Sequence, residues 1–350
     1  MDHLRFKKHY KLILIAALAI LIFLIAASVT FGVANISIID SYKIMMSRLP
    51  LIGSFISTKG INEAYIQIIL YIRLPRILLG VFVGMGLSAV GAVYQAIFKN
   101  PMADPYVLGV SSGSALGAAL AIFLGLDTTI MAVSGTTLFA FSFAILTTFI
   151  VYSIASVGHK VSTANLLLTG VAVSFFMSSI ISVIMIIDRN QIDKIVFWTM
   201  GSLASATWQQ VVFLAILCSA LIMCILFFAR DLNVILVDEE AAKTMSVDNE
   251  KVKKIMLILC SLMVASVVAV SGIIGFVGLI IPHAVRIFSG SDNRRLIPLT
   301  AVAGAAFMIM SDTIARTILA PSEIPVGAIT ALFGAPYFLF LLSKNKKKVF

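Results

Sequence analysis

Ten stretches of this 350-residue chain are long and apolar enough to be bilayer helices, and they leave little over for a water-soluble domain. They run approximately from 12 to 33, 66 to 97, 106 to 126, 129 to 156, 162 to 187, 208 to 229, 251 to 271, 273 to 289, 296 to 315 and 323 to 343. A bilayer core takes about 20 apolar residues per helix. The charges agree: only 12% of residues are charged, against about 25% in ordinary globular chains. With 26 basic and 16 acidic side chains the chain cannot solvate a closed surface of its size. A soluble enzyme, a nucleic-acid module and a disordered tail are therefore excluded, despite the net charge of +10. The expectation is an all-α, polytopic membrane protein with about ten transmembrane helices, forming a single transmembrane domain over residues 1–350.

The first run follows Arg5, Lys7, Lys8 and Lys11, an arrangement shared with signal peptides. From Leu12 to Phe31 it is nearly unbroken, whereas a cleaved signal has an apolar core of about 7–15 residues, so it reads as a retained helix. Placing the amino terminus in the cytoplasm and crossing ten times puts 18 Lys and Arg inside and 8 outside. Both termini are thus expected to be cytoplasmic, as basic residues favour that side.

Small residues recur at spacings that let helices approach closely in lipid: Gly80 with Gly84, Gly113 with Gly117, and the run Gly272, Gly275, Gly278. The three cysteines, Cys218, Cys224 and Cys260, lie in apolar runs without a paired motif and read as small buried side chains. Pro282-His283 falls inside the eighth run and reads as a kinked helix with a hydrogen-bonded histidine near the cytoplasmic end.

Two polar regions stand out. The longest cytoplasmic loop, about 231–254, carries dense charge of both signs, with acids at Asp238, Glu239 and Glu240 suited to start a short helix and a second turn beginning at Val247 or Asp248. It is either a docking surface or a solvated connection. On the outer side, Arg73-Leu74-Pro75-Arg76 is expected to open the second helix, with Pro75 in its first turn, and Arg316 closes the ninth helix one turn after Asp312. These arginines either snorkel to the interface or capture acidic groups arriving from outside. Asp312 and Arg316 have the spacing of an intrahelical ion pair.

No GxxxxGK[ST] occurs, and no lysine follows a glycine anywhere in the chain. The chain therefore carries no phosphate-binding loop of that kind. Active transport would draw on a gradient or on a separate ATPase. Gradient-driven carriers place ionisable residues near the bilayer midplane. Here the acids fall almost entirely in loops or at helix ends, with Asp312 the nearest exception, which favours the ATPase.

Five segments together resemble the FecCD-type permeases, the membrane subunits of ATP-binding-cassette importers for iron siderophores, haem and vitamin B12. They are residues 73–119 (RLPRILLGVFVGMGLSAVGAVYQAIFKNPMADPYVLGVSSGSALGAA), 197–211 (FWTMGSLASATWQQV), 275–305 (GFVGLIIPHAVRIFSGSDNRRLIPLTAVAGA), 311–316 (SDTIAR) and 323–342 (EIPVGAITALFGAPYFLFLL). The resemblance covers nearly all of the chain. It implies a type II importer permease fold of ten helices in a bacterial cytoplasmic membrane. A second permease subunit would enclose the path with this one, two ATPase subunits would bind below, and an extracellular binding protein would deliver an iron-siderophore complex from above. Haem or vitamin B12 is the alternative cargo, and a gradient-driven secondary transporter the alternative class. This chain would bind no cofactor itself; ATP and Mg would sit in the partner ATPase.

Residue by residue, the resemblance assigns binding-protein docking to Arg73, Arg76 and Arg316. ATPase coupling falls to the segment 238–250, with Asp238, Glu239, Glu240, Ala241, Met245, Ser246, Val247 and Asp248; relatives usually read Leu-Gly where this chain has Met245-Ser246. The cytoplasmic gate would be formed by Asn100, Met102, Ser162 and Thr163. The fifth helix, with Asn165, Thr169, Gly170 and Ser174, would line the path.

Overall fold

A computed structural model describes residues 3–48, 53–126, 129–130, 133–157, 160–237 and 248–346. Among these, thirteen helices account for nearly all regular structure: α1 (His3–Thr30), α2 (Ile38–Met46), α3 (Glu63–Ile97), α4 (Val110–Phe123), α5 (Gly135–Ala155), α6 (Thr163–Ile187), α7 (Ile192–Thr199), α8 (Trp208–Phe227), α9 (Ala229–Val237), α10 (Asn249–Ser271), α11 (Val277–Ser289), α12 (Asn293–Ala315) and α13 (Val326–Lys346). Two-residue strands pair at Thr129–Ile130 with Val133–Ser134 and at Ser156–Val157 with Lys160–Val161. Each of the ten apolar runs carries one helix, and among the described residues seven of these helices are long and apolar enough to cross a membrane.

The second spanning helix begins earlier than its arginines suggested. Asn62 caps it, accepting the Ala64 N–H at 2.9 Å, so Pro75 lies well inside α3 and not in its first turn. Proline lacks an N–H and its ring crowds the preceding turn. The helix absorbs this by widening over Ile68–Arg73, where the Leu74 N–H reaches back five residues to Ile69 O. In the loop before it, α2 was not anticipated; Ser37 accepts the Asp40 N–H at 3.0 Å, and Ile44 is fully buried.

α4 and α11 have 14 and 13 residues, about 20 Å of helix, and fall short of the ~30 Å hydrocarbon core. Both begin inside the bundle after irregular backbone. Gly278 on α11 packs against Leu87 of α3 and against Pro105, while the Tyr106 hydroxyl donates to Ile274 O at 2.8 Å and accepts the Ile274 N–H at 3.2 Å. Protein encloses the irregular backbone ahead of both helices, which is the condition for non-helical segments in a membrane protein.

α3 is the centre. Its most apolar window is 83% buried, against 17% for α1 and 22% for α6. α12 lies along it, with Gly84 facing Gly304 so closely that a Cβ on either would strike the opposing carbonyl. Ser88 Oγ donates to Thr300 O across the same seam at 2.9 Å. Gly113 and Gly117 likewise bring α4 against Phe139, Phe143 and Thr147 of α5. Of the run Gly272, Gly275, Gly278, two make close approaches: Gly272, which ends α10 at φ 68°, lies against the Trp198 carbonyl and Gly201, and Gly278 lies in a helix, whereas Gly275 has open space around it. Cys218 and Cys260 are buried, but Cys224 is exposed on the rim of α8.

The long charged loop is also shorter than its composition indicated. Residues up to Val237 form α9, held to the core by Leu232 and Ile235. Asp248 is the cap of α10 itself, accepting the Lys251 N–H at 3.1 Å.

Candidate functional site

Three arginines and two acids from three separate stretches of chain converge at one end of the bundle. Arg73 and Arg76 sit on α3, Asp312 and Arg316 at the end of α12, and Glu323 in the connection to α13. The sequence reading placed the arginines as a positive feature on the outer surface. Instead, they are turned inward, each residue only 3–5% exposed.

Each guanidinium has different partners. Arg73 donates through Nη1 to Val29 O at 2.8 Å and through Nη2 to Ala34 O at 2.6 Å. It thereby satisfies a carbonyl in the last turn of α1, where cations are favoured. Arg76 Nε donates to both Asp312 oxygens, at 2.9 and 3.2 Å, and its Nη1 donates to Glu323 Oε2 at 2.7 Å. Arg316 Nη2 donates to Ser28 O at 2.6 Å and to Ser28 Oγ at 2.5 Å. The anticipated Asp312–Arg316 pair exists at 3.7 Å, but Arg76 is the nearer partner of Asp312. Glu323 is the exposed member of the cluster, its side chain 37% accessible beside an Arg76 at 6%. A cavity of about 320 Å³ opens here, lined by Gly32, Ile72, Arg73, Arg76, Arg316 and Glu323 among others. With all five groups ionised the cluster keeps one excess positive charge, and the cavity gives small acidic groups access to it.

At the opposite end of α12, Asp292 caps the helix, accepting the Arg294 N–H at 3.2 Å. Arg295 lies over the Tyr10 ring of α1 at 5.9 Å. Among the described residues no cluster of three or more His, Cys, Asp or Glu is placed to hold a metal ion, and His283 is a half-buried side chain of α11.

A profile of the FecCD transport family matches residues 20–344. The chain belongs to this family. It is 43% identical over 286 residues to the cobalamin import system permease protein of Halobacterium salinarum, covering 81% of this chain and 75% of the relative. It is 37% identical over 309 residues to the hemin transport system permease protein of Yersinia pestis, covering 87% and 91%. Among solved structures, one described as an inward-facing conformation of a putative metal-chelate type ABC transporter superposes with a TM-score of 0.79 at 33% identity, covering 95% of this chain and 99% of that one. The FecCD chain is accordingly a multi-pass permease subunit of an ABC importer.

The remaining residues named from the resemblance fall in three places. Of the coupling segment, Asp238, Glu239, Glu240, Ala241, Met245, Ser246 and Val247 lie outside the described residues, and Asp248 caps α10. Asn100 and Met102 form one tight turn, with Asn100 Oδ1 accepting the Met102 N–H at 2.9 Å. Ser162 is exposed at the cap of α6, followed by the half-buried Thr163. Asn165 is exposed and Thr169 and Ser174 half-buried along α6, while Gly170 is buried against Val107. Thus the segment with Asn100 and Met102 leads, through Val107, to direct contact with α6.

Sequence reasoning did not single out Ser28, Glu323, Asn233 or Asp292. Two of these carried a usable signal: Glu323 opens the last apolar run on the arginine side, and Asp292 precedes an apolar run as a helix cap does. Ser28 and Asn233 join partners whose sequence separation gives no local pattern.

Proposed function

We propose that this FecCD permease carries a ferric siderophore across a bacterial cytoplasmic membrane, in a dimer driven by two ATPase subunits and fed by an extracellular binding protein. The family match across residues 20–344 is the observation that carries this reading, and relatives named for hemin and cobalamin support a metal chelate as cargo. Cobalamin is the second reading, favoured by the 43% identity to the Halobacterium protein. ATP and Mg belong to the ATPase partner. Both termini face the cytoplasm, in line with the distribution of 18 and 8 basic residues.

In this scheme Arg73, Arg76 and Arg316 receive acidic groups of the binding protein, through the cavity beside Glu323 and with the cluster's excess positive charge as the attraction. The segment 238–248 contacts the ATPases, and Asn100, Met102, Ser162 and Thr163 form the inner gate, with Asn165 and Thr169 on the path. Sparse burial of α6 supports that placement, since a face bare in the single subunit is available to a second subunit or to a path between them. The ATPase cycle favours one permease conformation over the other, and the loop conveys the difference.

The test is uptake by vesicles containing the permease with its source organism's ATPase subunits and binding protein, offered ferric hydroxamate, ferric catecholate, haem and cobalamin. ATP-dependent accumulation of a ferric hydroxamate or catecholate is expected. Accumulation of cobalamin alone moves the assignment to the second reading; uphill uptake without any ATPase subunit refutes the scheme.

A further inference from the structure

We propose that Asn233 is a positioning residue of the transport cycle, a clasp that passes movement of the ATPase-contacting loop into α12. The inference rests on the importer reading above and adds a residue that the family resemblance did not supply.

Asn233 lies near the middle of α9, the short helix that leads directly into segment 238–247. Leu232 and Ile235 anchor that helix in the core, and Asn233 reaches sideways to the first residues of α12. Both halves of its amide are used. Nδ2 donates to Asp292 Oδ1 at 2.7 Å, and Oδ1 accepts the Asn293 N–H at 2.8 Å. The Asn293 N–H is one of the amides that a helix start leaves without an internal partner. Asn233 therefore supplies a second cap to α12 from another helix, alongside the cap made by Asp292 itself. A side chain that both donates and accepts is required. Aspartate cannot donate here when ionised, and leucine can do neither.

What α12 does with that grip follows from its length. Its 23 residues make a rod of about 34 Å, carrying Asp312 near the far end and Arg316 at its cap, both bound into the arginine cluster. A helix transmits displacement at one end to the other more faithfully than a loop does, and rigid elements of this kind can carry coupling between distant sites. The junction also has spare bonding capacity. The Asn293 side chain is 1% exposed, and its Nδ2 and Oδ1 as well as Arg295 Nη1 are without hydrogen-bond partners. These groups can take new partners when α9 shifts relative to α12.

The experiment uses the assembled transporter in vesicles, with radiolabelled ferric hydroxamate as probe and cobalamin as a second probe. ATP hydrolysis and cargo uptake are measured together. Asn233→Asp sets two carboxylates against each other and is expected to lower cargo moved per ATP at least five-fold, with assembly and hydrolysis within two-fold of wild type. The swap Asn233→Asp with Asp292→Asn restores a donor–acceptor pair between the two side chains and keeps an acceptor for the Asn293 N–H, at the expense of the Arg294 bond to position 292, and is expected to recover at least half of the lost coupling. Asn233→Ser provides an independent variant should the aspartate fail to assemble; it too is expected to lower cargo per ATP. The clasp is overturned if Asn233→Asp couples normally, if uptake and hydrolysis fall in equal proportion, or if the swap does not restore coupling. A wild-type chain that neither retains ATPase subunits nor shows ATP-dependent uptake overturns the importer reading, and the clasp with it.

Discussion

Asp312→Ala is the sharpest probe of the arginine cluster. The carboxylate is 2% exposed and faces Arg76 Nε at 2.9 Å and Arg316 Nε at 3.7 Å. Arg316 Nε has no hydrogen-bond partner, so Asp312 is its nearest source of compensation. Removing one member of a buried ion pair costs about 3–5 kcal/mol, because the other charge is left desolvated and unopposed. Glu323 still holds Arg76, at 2.7 Å, which puts the expected cost near the lower bound, about 3 kcal/mol. That corresponds to roughly a hundredfold change in the folding equilibrium. The assay is a denaturing-detergent titration of the micelle-bound permease followed by tryptophan fluorescence. Trp208 is a suitable reporter because its Nε1 donates to Leu70 O at 2.9 Å, one turn from Arg73 on α3. Adding Arg316→Met to Asp312→Ala removes the unopposed cation and is expected to recover at least half of the loss. If Asp312→Ala lies within about 0.5 kcal/mol of wild type, a size typical of neutral surface changes, or if the double variant is no better than the single, the electrostatic account of this cluster is wrong.

Two further outcomes are expected. Gly84→Ala drives a methyl into the Gly304 carbonyl on α12 and is expected to cost about 1–3 kcal/mol by overpacking; an unchanged midpoint in the same titration counts against the α3–α12 seam. In the connection between α3 and α4, burial pushes the Asp104 carboxyl up to about 6. A carboxyl whose pKa is raised on folding disfavours the folded state once ionised, so stability should fall as pH rises from about 4 to about 6 and then level off. Asp104→Asn should flatten that dependence, and an identical pH profile in the variant contradicts the assignment.

The ten apolar runs were legible because lipid rewards one property, hydrophobicity over a helix length, and each run does contain a helix. Hydropathy could not show where backbone ceases to be helical inside an apolar stretch. The third and eighth runs were therefore read as full crossings, although Gly109 at φ 72° and Phe276 at φ 68° delay α4 and α11 to Val110 and Val277. Pro75 misled in the opposite direction, since a widened turn lets α3 continue through it. In the site, Asp312–Arg316 was readable from its one-turn spacing. The stronger bonds from Arg76 join residues 236 and 247 positions apart, and no local pattern encodes such pairing. For the same reason surface charge was expected where the fold turns three arginines inward against backbone carbonyls, Asp312 and Glu323, with one positive charge in excess.

The fastening of α1 bears on how the chain is made. This helix is made before the elements that fasten it: at its far end it is tied by Arg73 to Val29 and by Arg316 to Ser28. The second of those ties spans 288 residues, so it cannot form until all of them have been synthesised. Until then α1 is held by the bilayer and by its contacts with α2, α3 and α11, and the tie to Ser28 comes after them. Nascent chains halted before Arg316 emerges therefore present α1 in its least secured state.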